Sequence, residues 1–290
     1  MDGNYVLITP AKNEEDNLPE VIECVLRQTQ KPVLWIIVDD GSTDKTPDIV
    51  DDYCRSTSWM QKISLPPHPR DITYHYSFVC SEGFKHAVDT CNASNLEFDF
   101  IALLDADTEI QPDFFEKLIE KMNDNQKLGI ISGGIYHRMR DKVVFNGADE
   151  FLPAGTGRLW RKDCFFETGG YPIEPSPDSI SNIKAVLRGW EIKQFDTIVA
   201  IERRETKTAE GYWKGFRIDG QTAYYFDKHP LLVLLGFVNF SIKSPFYPGL
   251  GYLFGYLQGL FGSAEKIGDS EIREYYRNRR LRECLERVKS

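Results

Sequence analysis

An alternation in the first hundred residues constrains the fold more than any other feature. Tyr5 to Thr9, Val33 to Val38, Ile72 to Tyr76 and Phe98 to Leu104 are short apolar runs. Between them, apolar residues recur at helical spacing: Leu18, Val21, Ile22, Val25 and Leu26, then Ile49, Val50 and Tyr53, then Phe84 to Cys91. A run that is apolar on both faces reads as a strand covered on both sides, and amphipathic helices supply the cover. The spacing predicts an α/β fold with a mostly parallel sheet flanked by helices. In such sheets ligands bind beyond the carboxyl ends of the strands. Four polar clusters fall there: Pro10 to Glu15, Asp39 to Asp44, Ser81 to Lys85, and Asp105-Ala106-Asp107.

The last cluster ends the stretch IALLDADTEI, Ile101 to Ile110. Acidic residues after a strand often form a turn or cap the next helix, and Gln111-Pro112-Asp113 suits a helix start. That role does not explain two carboxylates flanking one small residue. In extended chain, residues two apart point to the same side, so Asp105 and Asp107 repel each other unless a cation lies beside them. Hard oxygen ligands favour Mg2+ or Mn2+. An EF-hand loop would place ligands at Asp105, Asp107, Glu109 and Glu116, but its sixth position requires Gly and here holds Ile110. A haloacid-dehalogenase phosphatase also ends a strand on Asp-x-Asp-x-Thr, as Asp105 to Thr108 does. That motif belongs on a first strand, and the later Gly268-Asp269 follows no strand.

The net charge is -9, which disfavours a nucleic acid partner. Six cysteines (Cys24, Cys54, Cys80, Cys91, Cys164 and Cys284) are scattered without a Cys-x-x-Cys pair and read as reduced core thiols. The start, MDGNYVLITP, runs into a strand without a basic segment and long apolar stretch, so a cytoplasmic location is expected. The character changes near residue 205, giving an expected catalytic domain over 1–205 and a helical region over 206–290. Leu231 to Gly262 is rich in Leu, Phe, Tyr and Gly but lacks a spanning-length apolar run. An arginine-bearing helix follows, with Arg273, Arg277, Arg279, Arg280 and Arg282. This region suits peripheral contact with a membrane surface, packing against the sheet, or a homo-oligomer interface.

Four segments taken together, ITPAKNEEDNL, VDDGSTDKT, DADTEIQPDFFEKL and AGTGRLWRKDCFFETGGY, resemble family 2 glycosyltransferases. The resemblance runs from Tyr5 to about Trp190. It implies the GT-A fold, with a Rossmann-like sheet and here a helical C-terminal extension, and transfer of a sugar from a nucleoside diphosphate donor to an acceptor hydroxyl, on a growing glycan or, if the C-terminal region rests on a membrane, on a lipid-linked acceptor. By the same resemblance, Pro10, Ala11 and Glu14 line the nucleoside pocket, and Asp39 or Asp40 reaches the base. Lys85 faces the nucleotide. Asp105, Ala106 and Asp107 meet the donor phosphates through Mn2+ or Mg2+, with Glu109 in the place of a third ligand. The family carries Glu-Asp before a later helix, the Asp serving as base. Here the Asp is Asp178, but Pro177 stands where the Glu would be. Asp178 is alternatively a helix cap. A catalytically silent protein that binds nucleotide sugars would keep the pocket without needing that base.

Overall fold

The structure is a computed structural model describing residues 3–67, 74–139, 142–145, 150–203, 211–242 and 245–289. The chain divides into two compact units, Met1–Arg204 and Glu205–Ser290.

The first unit is built on one mixed sheet. Strand β1 (Tyr5–Ala11) lies between β2 (Leu34–Asp39) and β4 (Phe100–Leu103), parallel to both. Tyr5 and Leu7 of β1 point to one side, where Leu18, Val21, Ile22 and Val25 of α1 (Leu18–Leu26) and Phe114, Phe115 and Leu118 of α4 (Phe114–Asp124) cover them. Val6 and Ile8 point to the other, against Val79, Cys80, Phe84 and Ala87 of α3 (Tyr74–Ser94). The period-two alternation of an all-apolar strand thus feeds two cores. Helix α2 (Thr46–Ser56) adds Val50 to the first core.

The strand expected at Ile72 to Tyr76 does not include Tyr74 to Tyr76. Tyr74 to Tyr76 open α3, while Ile72 and Thr73 lie outside the described residues. The third strand is β3 (Met60–Ser64), parallel to β2 and at the sheet edge. It carries Gln61 and Lys62 because an edge strand keeps one side near water, and so it shows no apolar run. Consequently Ser81 to Lys85 follows no strand and lies within α3. A Cβ on Gly83 would come 2.7 Å from the methyls of Ile8 and Val38, so glycine there lets α3 approach the sheet closely.

Beyond β4 the sheet order is β3-β2-β1-β4-β8-β6-β9-β5. Strand β5 is Thr108–Ile110, β6 Leu128–Met139, β7 Lys142–Phe145 (paired with β6), β8 Arg158–Arg161 and β9 Glu191–Glu202. Strand β8 runs antiparallel to both β4 and β6, whereas β6 and β9 are parallel with a bulge between Gly133 and Gly134. Strand β5 then pairs antiparallel with the end of β9, Thr108 opposite Glu202. The short α5 (Lys162–Glu167) and α6 (Pro177–Leu187) complete this unit. All six cysteines are free, four of them buried.

The second unit is helical: α7 (Tyr212–Tyr225), α8 (Pro230–Ile242), α9 (Pro248–Phe261), α10 (Ser270–Glu274), a π-helical turn (Tyr275–Arg279) and α11 (Arg280–Lys289). Ala223, Val233 and Tyr252 form its small core. Asp269 caps α10 by accepting from the Glu271 and Ile272 amides, so it has the ordinary duty of a turn acid. Among the described residues no helix is long and apolar enough to cross a membrane.

Candidate functional site

The carboxyl ends of β1, β2 and β4 gather most of the expected residues. Pro10 and Ala11 close β1, and both are buried. The loops after β1 and β2 are stitched together. Asn13, with φ of 55°, accepts from the Thr43 amide at 2.8 Å, and its own amide donates to Ser42 Oγ at 3.0 Å. The Glu14 amide donates to Thr46 Oγ1 at 2.8 Å, and the Glu15 amide to Asp44 Oδ2 at 3.1 Å. Asp44 also accepts from the amide of Thr46, the first residue of α2. Asp39 is buried and accepts from the Ser42 amide at 3.1 Å, tightening the turn. Asp40 is held by Lys12 Nζ at 3.2 Å and His75 Nε2 at 2.7 Å. The Glu14 carboxylate accepts from Asn17 Nδ2 at 2.8 Å.

Asp105 follows β4 and is clamped twice. Its amide donates to Thr156 Oγ1 at 2.9 Å, and its carboxylate accepts from Tyr76 OH at 2.6 Å. Burial pushes this carboxyl up to about 7, and the charges of Asp107 and Glu14 add to the rise against the Tyr76 hydrogen bond. Glu202, at the end of β9, is pushed up to about 8 by burial and by Asp105 and Asp107. Four acids from three strand ends therefore act on one another.

Glu109 does not join them as a free ligand. Its carboxylate binds Arg203 Nε at 2.5 Å and Arg138 Nη2 at 3.1 Å. Arg203 also donates its amide to the Asp107 carbonyl at 3.0 Å and Nη1 to the Asp16 carbonyl at 3.3 Å. It joins the β1 loop to the acidic segment.

Lys85 is exposed in mid-α3. It lies nine residues past Tyr76, about 13 Å along the helix axis, and the structure does not bring it to the strand ends. His75 and Tyr76, in the first turn of α3, are the residues of this helix that reach them.

Asp178 sits in the first turn of α6, after Pro177 at the first helical position, and is not the N-cap; Ser176 is. Its anchor is Arg158. This fully buried guanidinium donates to the carbonyls of Ala154 at 3.2 Å and Asp178 at 3.3 Å, to the Asn182 side chain, and stacks on Trp160 at 4.6 Å. Burial lowers Arg158 to about 10, although Asp178 and Tyr171 counter the fall. A Cβ on Gly155 would lie 3.9 Å from Asp178 Cβ, and the next residue, Thr156, holds Asp105. The segment 154–158 thus ties Asp178 to the acidic strand end.

Sequence reasoning missed Tyr76, His75, Arg158, Glu202 and Arg203. Thr156 and Arg158 lie inside AGTGRLW, so a signal was present. Glu202 and Arg203 carried none, because only the β5–β9 register brings them to the site.

The description "Glycosyl transferase family 2" matches residues 6–191. A 4,4'-diaponeurosporenoate glycosyltransferase of Staphylococcus aureus (strain bovine RF122 / ET3-1) is 27% identical over 189 residues, which cover 58% of this chain and 46% of that protein. The chain spans less than half the length of such curated relatives. Among solved structures, the mannosyltransferase PcManGT from Pyrobaculum calidifontis, in complex with GDP-Man and Mn2+, superposes with a TM-score of 0.57 at 12% identity, covering 89% of this chain and 87% of that one. TarS 1-349 of S. aureus, in complex with UDP-GlcNAc, gives 0.54 at 15% identity, covering 74% and 65%. These likenesses show the GT-A fold. With the family match extending over most of the sheet and its loops, the chain belongs to glycosyl transferase family 2.

Proposed function

We propose that this protein is a divalent-metal-dependent, inverting glycosyltransferase that moves a sugar from a nucleoside diphosphate donor to a hydroxyl of a glycan or lipid-linked acceptor. The observation that carries this reading is the concentration of acid at the β4 end, where burial and the charge of Asp107 raise Asp105, and burial with Asp105 and Asp107 raises Glu202. Among the described residues no three His, Cys, Asp or Glu side chains close around a metal by themselves. That suits Mg2+ or Mn2+, which bind through one or two carboxylates and substrate phosphates rather than in an all-protein cage. Asp105 and Asp107 are the carboxylates that would hold it. A bound cation would stabilise the charge that grows on the leaving diphosphate.

The remaining chemistry falls to the chain. Pro10 and Ala11 offer an apolar wall to the base, with Asp39, Asp40 and Glu14 as polar neighbours. Asp178, on the far side of the 154–158 segment, accepts the proton of the attacking hydroxyl, a role worth roughly 10²–10⁴-fold in rate. One displacement with one base inverts the sugar carbon. The test is a panel of nucleotide sugars with Mn2+, scored for nucleoside diphosphate release and sugar transfer. Asp178→Asn should retain donor binding and lose at least about a hundredfold in kcat. Asp107→Ala should lose metal-dependent donor binding while the fold persists. Donor binding without turnover would make the chain a silent nucleotide-sugar binder, and release of phosphate from an aryl phosphate would make it a phosphatase. Either outcome overturns the proposal.

A further inference from the structure

The second unit has an apolar face that its own folding does not use. In α9, Gly251, Gly255 and Gly259 recur every four residues and are buried. A Cβ on Gly255 would overlap the Arg217 carbonyl of α7, and one on Gly259 would overlap the Tyr224 ring. On the α8 side, a Cβ on Gly249 would strike the Phe237 carbonyl at 2.5 Å. The small residues are therefore spent inside the unit, against α7 and α8. The large ones are turned outward. On α8 these are Leu231, Leu234, Leu235, Val238 and Ile242, spaced as one helical face and exposed by 40% to 69%. On α9 they are Leu250, Phe254, Leu260 and Phe261, the last exposed by 81%. Only Asn239 and Gln258 interrupt them as exposed polar residues of the two helices. Such a contiguous patch marks an interaction surface.

Charge identifies the occupant. From His229 to Ala264 the sequence holds no Asp or Glu and a single charged residue, Lys243, which lies outside the described residues. Residues 205–290 carry 13 Lys and Arg against 10 Asp and Glu, in a chain whose net charge is -9. The excess gathers at one end of the α8–α9 pair. Asp227, three residues before α8, faces Lys266 at 2.6 Å, Arg277 at 2.7 Å and Arg273 at 3.5 Å. Nearby, Glu283 faces both Arg279 and Arg280, and the His229 amide donates to the Tyr276 carbonyl, joining this basic end to the start of α8. The α8 and α9 faces of a second copy would bring no acid of their own to that basic end. An anionic bilayer supplies both the apolar interior and the opposite charge. Helices of 13 and 14 residues are about 20 Å long, short of the roughly 30 Å hydrocarbon core, so they lie in the interface and do not span.

We infer that the outer face of α8 and α9 seats this protein on an anionic lipid surface, with the Arg273–Arg280 end against the head groups. The inference goes beyond the transferase reading and does not depend on it. The experiment is vesicle co-sedimentation of the full chain in chelator, without donor. One vesicle set is phosphatidylcholine alone, and the other includes phosphatidylglycerol. Sedimentation velocity without lipid runs in parallel. The full chain should pellet with the anionic vesicles at low salt. Leu234→Gln with Leu235→Gln should weaken this at least about tenfold, since both side chains are already exposed and the fold does not need them. Arg279→Gln with Arg282→Gln should weaken binding to anionic vesicles roughly thirtyfold, two charges at about 1 kcal/mol each, and leave neutral vesicles unaffected. Failure of the full chain to pellet, or pelleting that neither variant changes, overturns the inference. So does a dimer that the leucine variant dissociates in the absence of any lipid binding.

Discussion

At the scale of single residues, the site is governed by where charge is buried. Asp105 and Glu202 have folded values of about 7 and about 8, against ordinary values of 3.8 and 4.5. Both are raised, so the folded chain keeps protons that the unfolded chain has released. The associated stability is whole below about pH 4 and is lost as pH climbs through 7 and 8. In chelator, urea unfolding should show a less stable protein at about pH 9 than at about pH 6, by on the order of 1–3 kcal/mol. The figure is below the sum of two independent shifts because part of the rise at Glu202 comes from the Asp105 charge. Asp105→Asn with Glu202→Gln should flatten the slope; a slope unchanged in that variant would contradict the assignment. Arg158 is the opposite case, a buried cation that serves through its hydrogen bonds. Arg158→Met leaves the Ala154 and Asp178 carbonyls and Asn182 without their donor, at a cost of about 2–4 kcal/mol. Because Asp178 loses its anchor, kcat should fall while KM for the donor holds, which steady-state kinetics with a melting curve will check.

At the scale of elements, legibility in the sequence followed burial. Strands β1, β2 and β4 are covered on both faces, so their apolar runs announced them. Strand β3 is an edge strand with Gln61 and Lys62, and it was hidden, whereas the apolar start of α3 resembled a strand. That one exchange misplaced Lys85 and concealed His75 and Tyr76. The extended chain assumed for the acids at 105 and 107 is a turn, the Thr108 amide donating to the Asp105 carbonyl at 3.2 Å, but as a cluster they were legible. The Arg203–Glu109 pair was not, because it depends on the β6–β9 bulge and on the pairing of β5 with β9. The bulge itself is testable. A Cβ on Gly133 would lie 2.5 Å from the Ile198 carbonyl oxygen and 2.5 Å from the Phe114 ring. Gly133→Ala should cost about 1–3 kcal/mol by overpacking. Gly268→Ala, with nothing within 4 Å of its Cβ, should stay within about 0.5 kcal/mol. Equal urea midpoints for the two variants would refute the packing argument.

At the scale of the whole molecule, the two units differ in what they respond to. The residues proposed to bind donor and metal all lie in Met1–Arg204. A calorimetric scan should show that nucleoside diphosphate with Mn2+ raises the unfolding of that unit, by roughly 2.7 kcal/mol at a hundredfold excess over Kd, and does not directly stabilise Glu205–Ser290. A uniform shift of every transition would mean that the units unfold as one. The non-sequential strand order has a consequence for how the chain is made. Residues 5–103 supply four parallel neighbours early, but the acidic segment at 105–109 is paired by β9 and gripped by Arg203, 94 positions after Glu109. As the chain leaves the ribosome, the strands beneath the proposed nucleoside pocket can assemble first, while Glu109 and the Asp107 carbonyl wait for residue 203 to emerge. Nascent chains stalled before that point should carry a nearly complete β1–β4 sheet with Glu109 still without its Arg203 partner.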